Sequence, residues 1–203
     1  MKTKAGEIII KLYEDNSIFI DLPEDEFLQI VMFAYYLDRI AHNLPKDKYY
    51  TFIEGMYNTS YDFVNPILSG KWRNLKLEDM IKKVAFRTLK FCKDKGKGEF
   101  EAQGEYFKKS GDYFYMNTHF KPIFASSDFL ERRALDSLLG YFDYLVLHLP
   151  KLRIIFLMFL VNTMTGKYIE KANEGIVPPL SEVPKMGLNA TTDFIEQVTK
   201  KIK

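Results

Sequence analysis

The longest apolar stretch of the chain, between Leu135 and Val161, does most to restrict its fold. Asp136, Gly140, Asp143, His148, Pro150, Lys151 and Arg153 interrupt it, leaving Ile154 to Val161 as its one unbroken run. That run is far shorter than the roughly 20 mostly uncharged residues a membrane-spanning helix needs. The stretch is therefore expected to be buried by the rest of the chain, with no membrane insertion. Pro150 divides it into a helix ending near Leu149 and a second from Lys151 to about Ala172, an antiparallel pair. The first is announced by Ser126-Ser127-Asp128, with Glu131 at capping-box distance from Asp128. Periodicity leaves Ile154 to Val161 open between helix and buried strand.

Helical signals recur elsewhere. Leu22-Pro23-Glu24-Asp25-Glu26 opens a helix, with proline preset for a first turn and carboxylates at the positive end of the dipole. Phe27, Ile30, Val31, Ala34, Leu37, Ala41 and Leu44 then follow at helical spacing until Pro45. A second helix is expected over Tyr50 to Leu68, interrupted near Pro66, and an amphipathic third over Leu77 to Cys92. Residues 175–190 hold three prolines without a period and read as a strap, followed by a short helix from Thr191 or Thr192. Two segments suggest hairpins instead. Glu7 to Tyr13 and Ser17 to Ile20 flank Asp15-Asn16, and Phe100 to Lys108 and Asp112 to Phe120 flank Ser110-Gly111. The expected fold class is α+β and mainly helical: a bundle of five or six helices, an N-terminal β-hairpin and a central aromatic β-hairpin. A single globular domain over 1–174 would carry the strap and short helix of 175–203 packed on it.

The 17 phenylalanines and 13 tyrosines give ample material for a core, each burying about 150–250 Å². A net charge of +2, from 29 basic and 27 acidic side chains, is too mild to imply nucleic acid by itself. One cysteine, Cys92, permits neither an internal disulfide nor a cysteine-based zinc site. With no secretory leader after Met1, a reducing cytoplasmic setting is expected. Glycine-rich phosphate loops and the Gly-x-Ser-x-Gly elbow are absent from the sequence. His42, His119 and His148 fall on separate elements, none beside a second histidine or cysteine at ligand spacing. Asp38 and His42, four apart on one helix, could contribute to a mixed metal site or form an ion pair or cap. No catalytic set, cofactor or metal is assigned.

Local clustering is more informative. Lys76, Lys82, Lys83, Arg87, Lys90 and Lys93 crowd one helix, and Lys108, Lys109, Tyr113 and Tyr115 the hairpin after it. Such interleaving suits phosphates and stacked bases, or an acidic protein partner, although a solvated helix face has the same composition. Tyr35, Tyr36, Tyr49, Tyr50, Tyr57 and Tyr61, with Phe33, Phe52 and Phe63, are too many on all sides of their helices for one core face. Tyrosine and phenylalanine are enriched at protein interfaces. The expectation is a non-enzymatic interaction or regulatory protein, a subunit or adaptor that binds a protein partner or itself through aromatic and basic surfaces. The alternatives are a nucleic-acid-binding protein using the 76–93 helix and the 99–120 hairpin, and a hydrolase or nuclease built on Asp136, Asp143 and His148.

Overall fold

A computed structural model describes residues 7–12, 17–44, 46–69, 107–110, 113–117 and 129–202. The first helix, α1, spans Glu26–Asn43. Asp25 caps it from outside: its carboxylate accepts the amides of Phe27 at 2.8 Å and Leu28 at 3.0 Å, so Pro23 stands before the helix rather than in it. Leu44 is extended, as a residue ahead of proline prefers, and the helix stops there. Helix α2 (Lys46–Leu68) contains Pro66 two residues before its end. Helices α3 (Phe129–His148) and α4 (Lys151–Asn173) meet at Pro150, where the sequence placed their junction. Helix α5 is Glu182–Ile202.

The core is helix on helix. Helix α4 packs chiefly against α2 and α5, while α1 lies on α3 and also touches α4 and α5. Phe156 to Val161 are all buried, as are Ile154, Met164 and Tyr168. A helix buried on several sides has no polar face, and that is why Ile154 to Val161 showed no period. It is helix, not strand. Among the described residues α4 is also the one helix long and apolar enough to cross a membrane by length and composition, yet more than half of its most apolar window is buried within the protein. Phe33 sits between Tyr141 and Phe142 of α3, with ring centroids 5.5 and 5.6 Å away. The Tyr141 hydroxyl donates to the Gln29 carbonyl at 2.7 Å. Phe159 stacks on Phe194 of α5 at 4.2 Å.

Two expectations are corrected. The α+β class gives way to a helical one: the bundle is 81% helical, with five helices and no β-strand, and neither expected hairpin is seen in it. Among the described residues, extended segments occupy four stretches of four or five residues, Ile9–Leu12, Ser17–Asp21, Phe107–Ser110 and Tyr113–Asn117. The first two lie against α3. The physical reason is that short alternating patterns report β-preference, whereas a hairpin contributes to a fold only through a face packed on other elements.

The second correction concerns the C-terminal helix, which begins at Glu182 rather than near Thr191. Pro184 lies in its first turn, where the missing amide costs nothing. Gly187 is there for contact: a Cβ on it would lie 2.8 Å from Met164 Cγ and 3.0 Å from Leu160 Cδ1. Pro184 was counted among the prolines of the strap, and both residues are compatible with a helix docked closely on α4. The strap shrinks to residues 174–181.

Candidate functional site

The last turn of α1, the first turns of α2 and the end of α4 converge on the strap. Gly175 takes φ +72°, and the Gly175 and Ile176 amides return to the Ala172 and Lys171 carbonyls at 3.0 and 2.8 Å. This glycine-terminated cap turns the chain back over the bundle. Between strap and helices lies a pocket of about 330 Å³. Ala41, His42 and Leu44 come from the α1 end, Tyr49 and Tyr50 from α2, Tyr168 and Ala172 from α4, and Gly175 to Pro178 from the strap. Most of this lining is apolar or aromatic. The rings of Tyr49 and Tyr50, of Tyr49 and Tyr168, and of Tyr168 and His42 meet edge to face at 6.1–6.2 Å. The Tyr50 hydroxyl donates to Asn173 Oδ1 at 2.8 Å.

Beneath the pocket wall sits Asp38, only 1% exposed. A buried carboxylate is tolerated when its oxygens are filled with donors. Oδ1 accepts the Tyr168 hydroxyl and lies 3.3 Å from His42 Nδ1. Oδ2 accepts the Ser181 backbone amide at 2.7 Å. Ser181 has φ +72°, the left-handed region that a residue with a Cβ adopts at a cost. It is held there with its amide pointed at Asp38. His42 makes the second tie: Nδ1 lies 2.8 Å from the Asp38 carbonyl and Nε2 lies 2.7 Å from the Pro178 carbonyl. One acid and one histidine on α1 thus fasten the strap at Pro178 and Ser181. Burial, and secondarily its bond to Asp38, raises the Tyr168 phenol well above its usual value; burial also raises Tyr49, with Tyr50 and Asp38 adding to it. Neither phenol ionises near neutral pH.

The side-chain hydrogen-bonding atoms of Asp38 and His42 all face partners within the fold. Among the described residues no group of three histidine, cysteine, aspartate or glutamate side chains is placed to hold a metal ion. Asp38 and His42 pair with each other on α1, the carboxylate buried and the ring partly buried.

The residues singled out by charge fall elsewhere. Lys76, Lys82, Lys83, Arg87, Lys90 and Lys93 lie outside the described residues. Lys108, Lys109, Tyr113 and Tyr115 lie on the extended stretches at 107–110 and 113–117, where only the backbone is described. The side chains of Asp136 and Asp143 are likewise outside the description. His148 stacks on Tyr144 at 4.3 Å and its Nδ1 bonds the Tyr144 carbonyl at 2.9 Å, at the far end of α3. Of the N-terminal aromatics, Phe33, Phe52 and Phe63 are core, whereas Tyr50 and Tyr61 are exposed. Sequence reasoning missed Tyr168 and Ser181. A signal for Asp38 was present: it falls four residues after Ala34 and three before Ala41, inside the apolar stripe of α1. No protein-family model matches the chain, and neither a curated protein nor a solved structure matches it.

Proposed function

We propose that this chain is a non-enzymatic interaction protein whose protein partner inserts an apolar or aromatic side chain into the strap pocket. The observation that carries this is the rim. Val177 is 72% exposed, Ile176 49% and Tyr50 42%. A free small molecule within about 330 Å³ would leave that rim in water. A partner surface would cover it, with one anchor desolvated at the centre and apolar neighbours excluding water around it.

The test couples surface to pocket. A photo-crosslinking amino acid at Val177 should capture a partner, and Ala172→Phe, which projects a ring into the cavity from the α4 end, should abolish the capture. Capture that persists undiminished in a folded Ala172→Phe protein, or none at all, refutes pocket insertion. The nucleic-acid alternative rests on the lysines of 76–93, whose clustering favours phosphate contacts. It predicts single-stranded RNA binding that weakens steeply with salt, because bound lysines release counterions. Salt-independent or absent binding would end it.

A further inference from the structure

We infer that the strap is a latch governed by the protonation of His42, a regulation that rests on taking the pocket as the docking site. Both ring nitrogens face oxygen atoms that can only accept: the Asp38 carbonyl and carboxylate at Nδ1, and the Pro178 carbonyl at Nε2. Both contacts are hydrogen bonds only when both nitrogens carry protons, that is, in the imidazolium. His42 is in the last turn of α1, at the negative end of the helix dipole, beside the buried Asp38 carboxylate. Among the described residues the other titratable groups lining the same pocket are the Tyr168, Tyr49 and Tyr50 phenols. Lys171 and Glu174, nearby at the end of α4, are paired with each other at 2.7 Å.

Removing one proton forces a choice. Nδ1 keeps its hydrogen, because it faces two oxygens and one of them belongs to a carboxylate. Nε2 then turns a lone pair toward the Pro178 carbonyl, and that tie becomes repulsive. Beyond its cap on the end of α4, the strap is then fastened at Ser181 alone among the ties to α1, by the amide bond to Asp38. Ile176, Val177 and Pro178, which form the outer wall of the pocket, are thereby released. Low pH closes the pocket and rising pH opens it. Loss of a charge-assisted hydrogen bond corresponds to a roughly tenfold to hundredfold rise in opening.

The experiment reads the strap without any partner, so it stands apart from the docking test. His42 ionisation is followed by its ring NMR shifts. Exchange of the Ile176 and Glu182 amides, which bond the Lys171 and Pro179 carbonyls when the strap is closed, is followed over the same pH range. After correction for intrinsic base catalysis, protection at both sites should fall about tenfold to hundredfold with the midpoint of the ring. In His42→Gln, whose side chain does not titrate, it should be flat. Wild-type protection that stays flat through the ring titration, or changes with a different midpoint, overturns the latch. Should His42→Gln fail to fold, the coincidence of the two wild-type curves decides alone.

Discussion

Replacing Asp38 by asparagine keeps size and shape and changes only what the two oxygens can do. Oδ1 serves the Tyr168 hydroxyl and His42, and Oδ2 serves the Ser181 amide at 2.7 Å. An asparagine oxygen can hold one side of this arrangement, and its amide nitrogen then faces a donor on the other. At 1% exposure no solvent repairs the mismatch. An unsatisfied buried donor costs about 1–3 kcal/mol, and losing charge assistance in the remaining bonds adds about 1 kcal/mol. The sum, about 3 kcal/mol, approaches the roughly 3–5 kcal/mol typical of breaking a buried pair by removing one charge. Urea unfolding followed by circular dichroism at 222 nm measures it. With a slope of about 3 kcal/mol/M the midpoint drops by about 1 M. Glu24→Gln, at an exposed carboxylate, is the control and should stay within about 0.5 kcal/mol of wild type. A loss under about 1 kcal/mol for Asp38→Asn, with unchanged slope, would refute the view that this carboxylate ties the strap to the bundle.

Other outcomes follow from local geometry. Ser181→Gly keeps the amide that Asp38 accepts and removes the Cβ strain at φ +72°, so it should stabilise by up to about 1 kcal/mol in the same urea assay. Gly55→Ala, with nothing within 4 Å of the added methyl, should stabilise by about 0.5–1 kcal/mol through helix propensity. Gly187→Ala should destabilise by about 1–3 kcal/mol, because Met164 and Leu160, both fully buried, must move. Burial raises the phenols of Tyr141, Tyr168 and Tyr49 above the ordinary tyrosine value. Folded protein thus retains protons that the unfolded chain gives up above about pH 10, so this stability is complete below pH 10 and is lost as pH rises toward the folded values. Urea midpoints should be level between pH 8 and 9.5 and fall from there to pH 11; a level midpoint at pH 11 would contradict the burial of these hydroxyls.

The helices were legible wherever an apolar stripe met a clear stop. Phe27 to Leu44 carried the period and Pro45 ended it, and Pro150 marked the turn between α3 and α4. Three things were not legible, each for a tertiary reason. Ile154 to Val161 hid its period because α4 is covered by α1, α2 and α5 together. The start of α5 was obscured by Pro184 and Gly187, whose suitability depends on the position in the first turn and on the approach to α4. The short extended segments were overweighted as hairpins, since β-preference says nothing about whether a face will be packed. As for the site, the four-residue spacing of Asp38 and His42 was visible. The residues that give it meaning, Tyr168, Pro178 and Ser181, are 130 or more positions away and became neighbours only through the fold.

Amide hydrogen exchange at Ser181 tests the central claim most directly. The claim is that the strap is fastened over the pocket by a buried carboxylate, so that the pocket is a built feature of the fold. A serine amide in a connecting segment, outside any helix, would ordinarily exchange at nearly the free-peptide rate. Bonded to Asp38, it should instead be protected at close to the level of the α4 core amides, and the protection should collapse in Asp38→Asn. Exchange at the free-peptide rate in the wild-type protein would contradict the account.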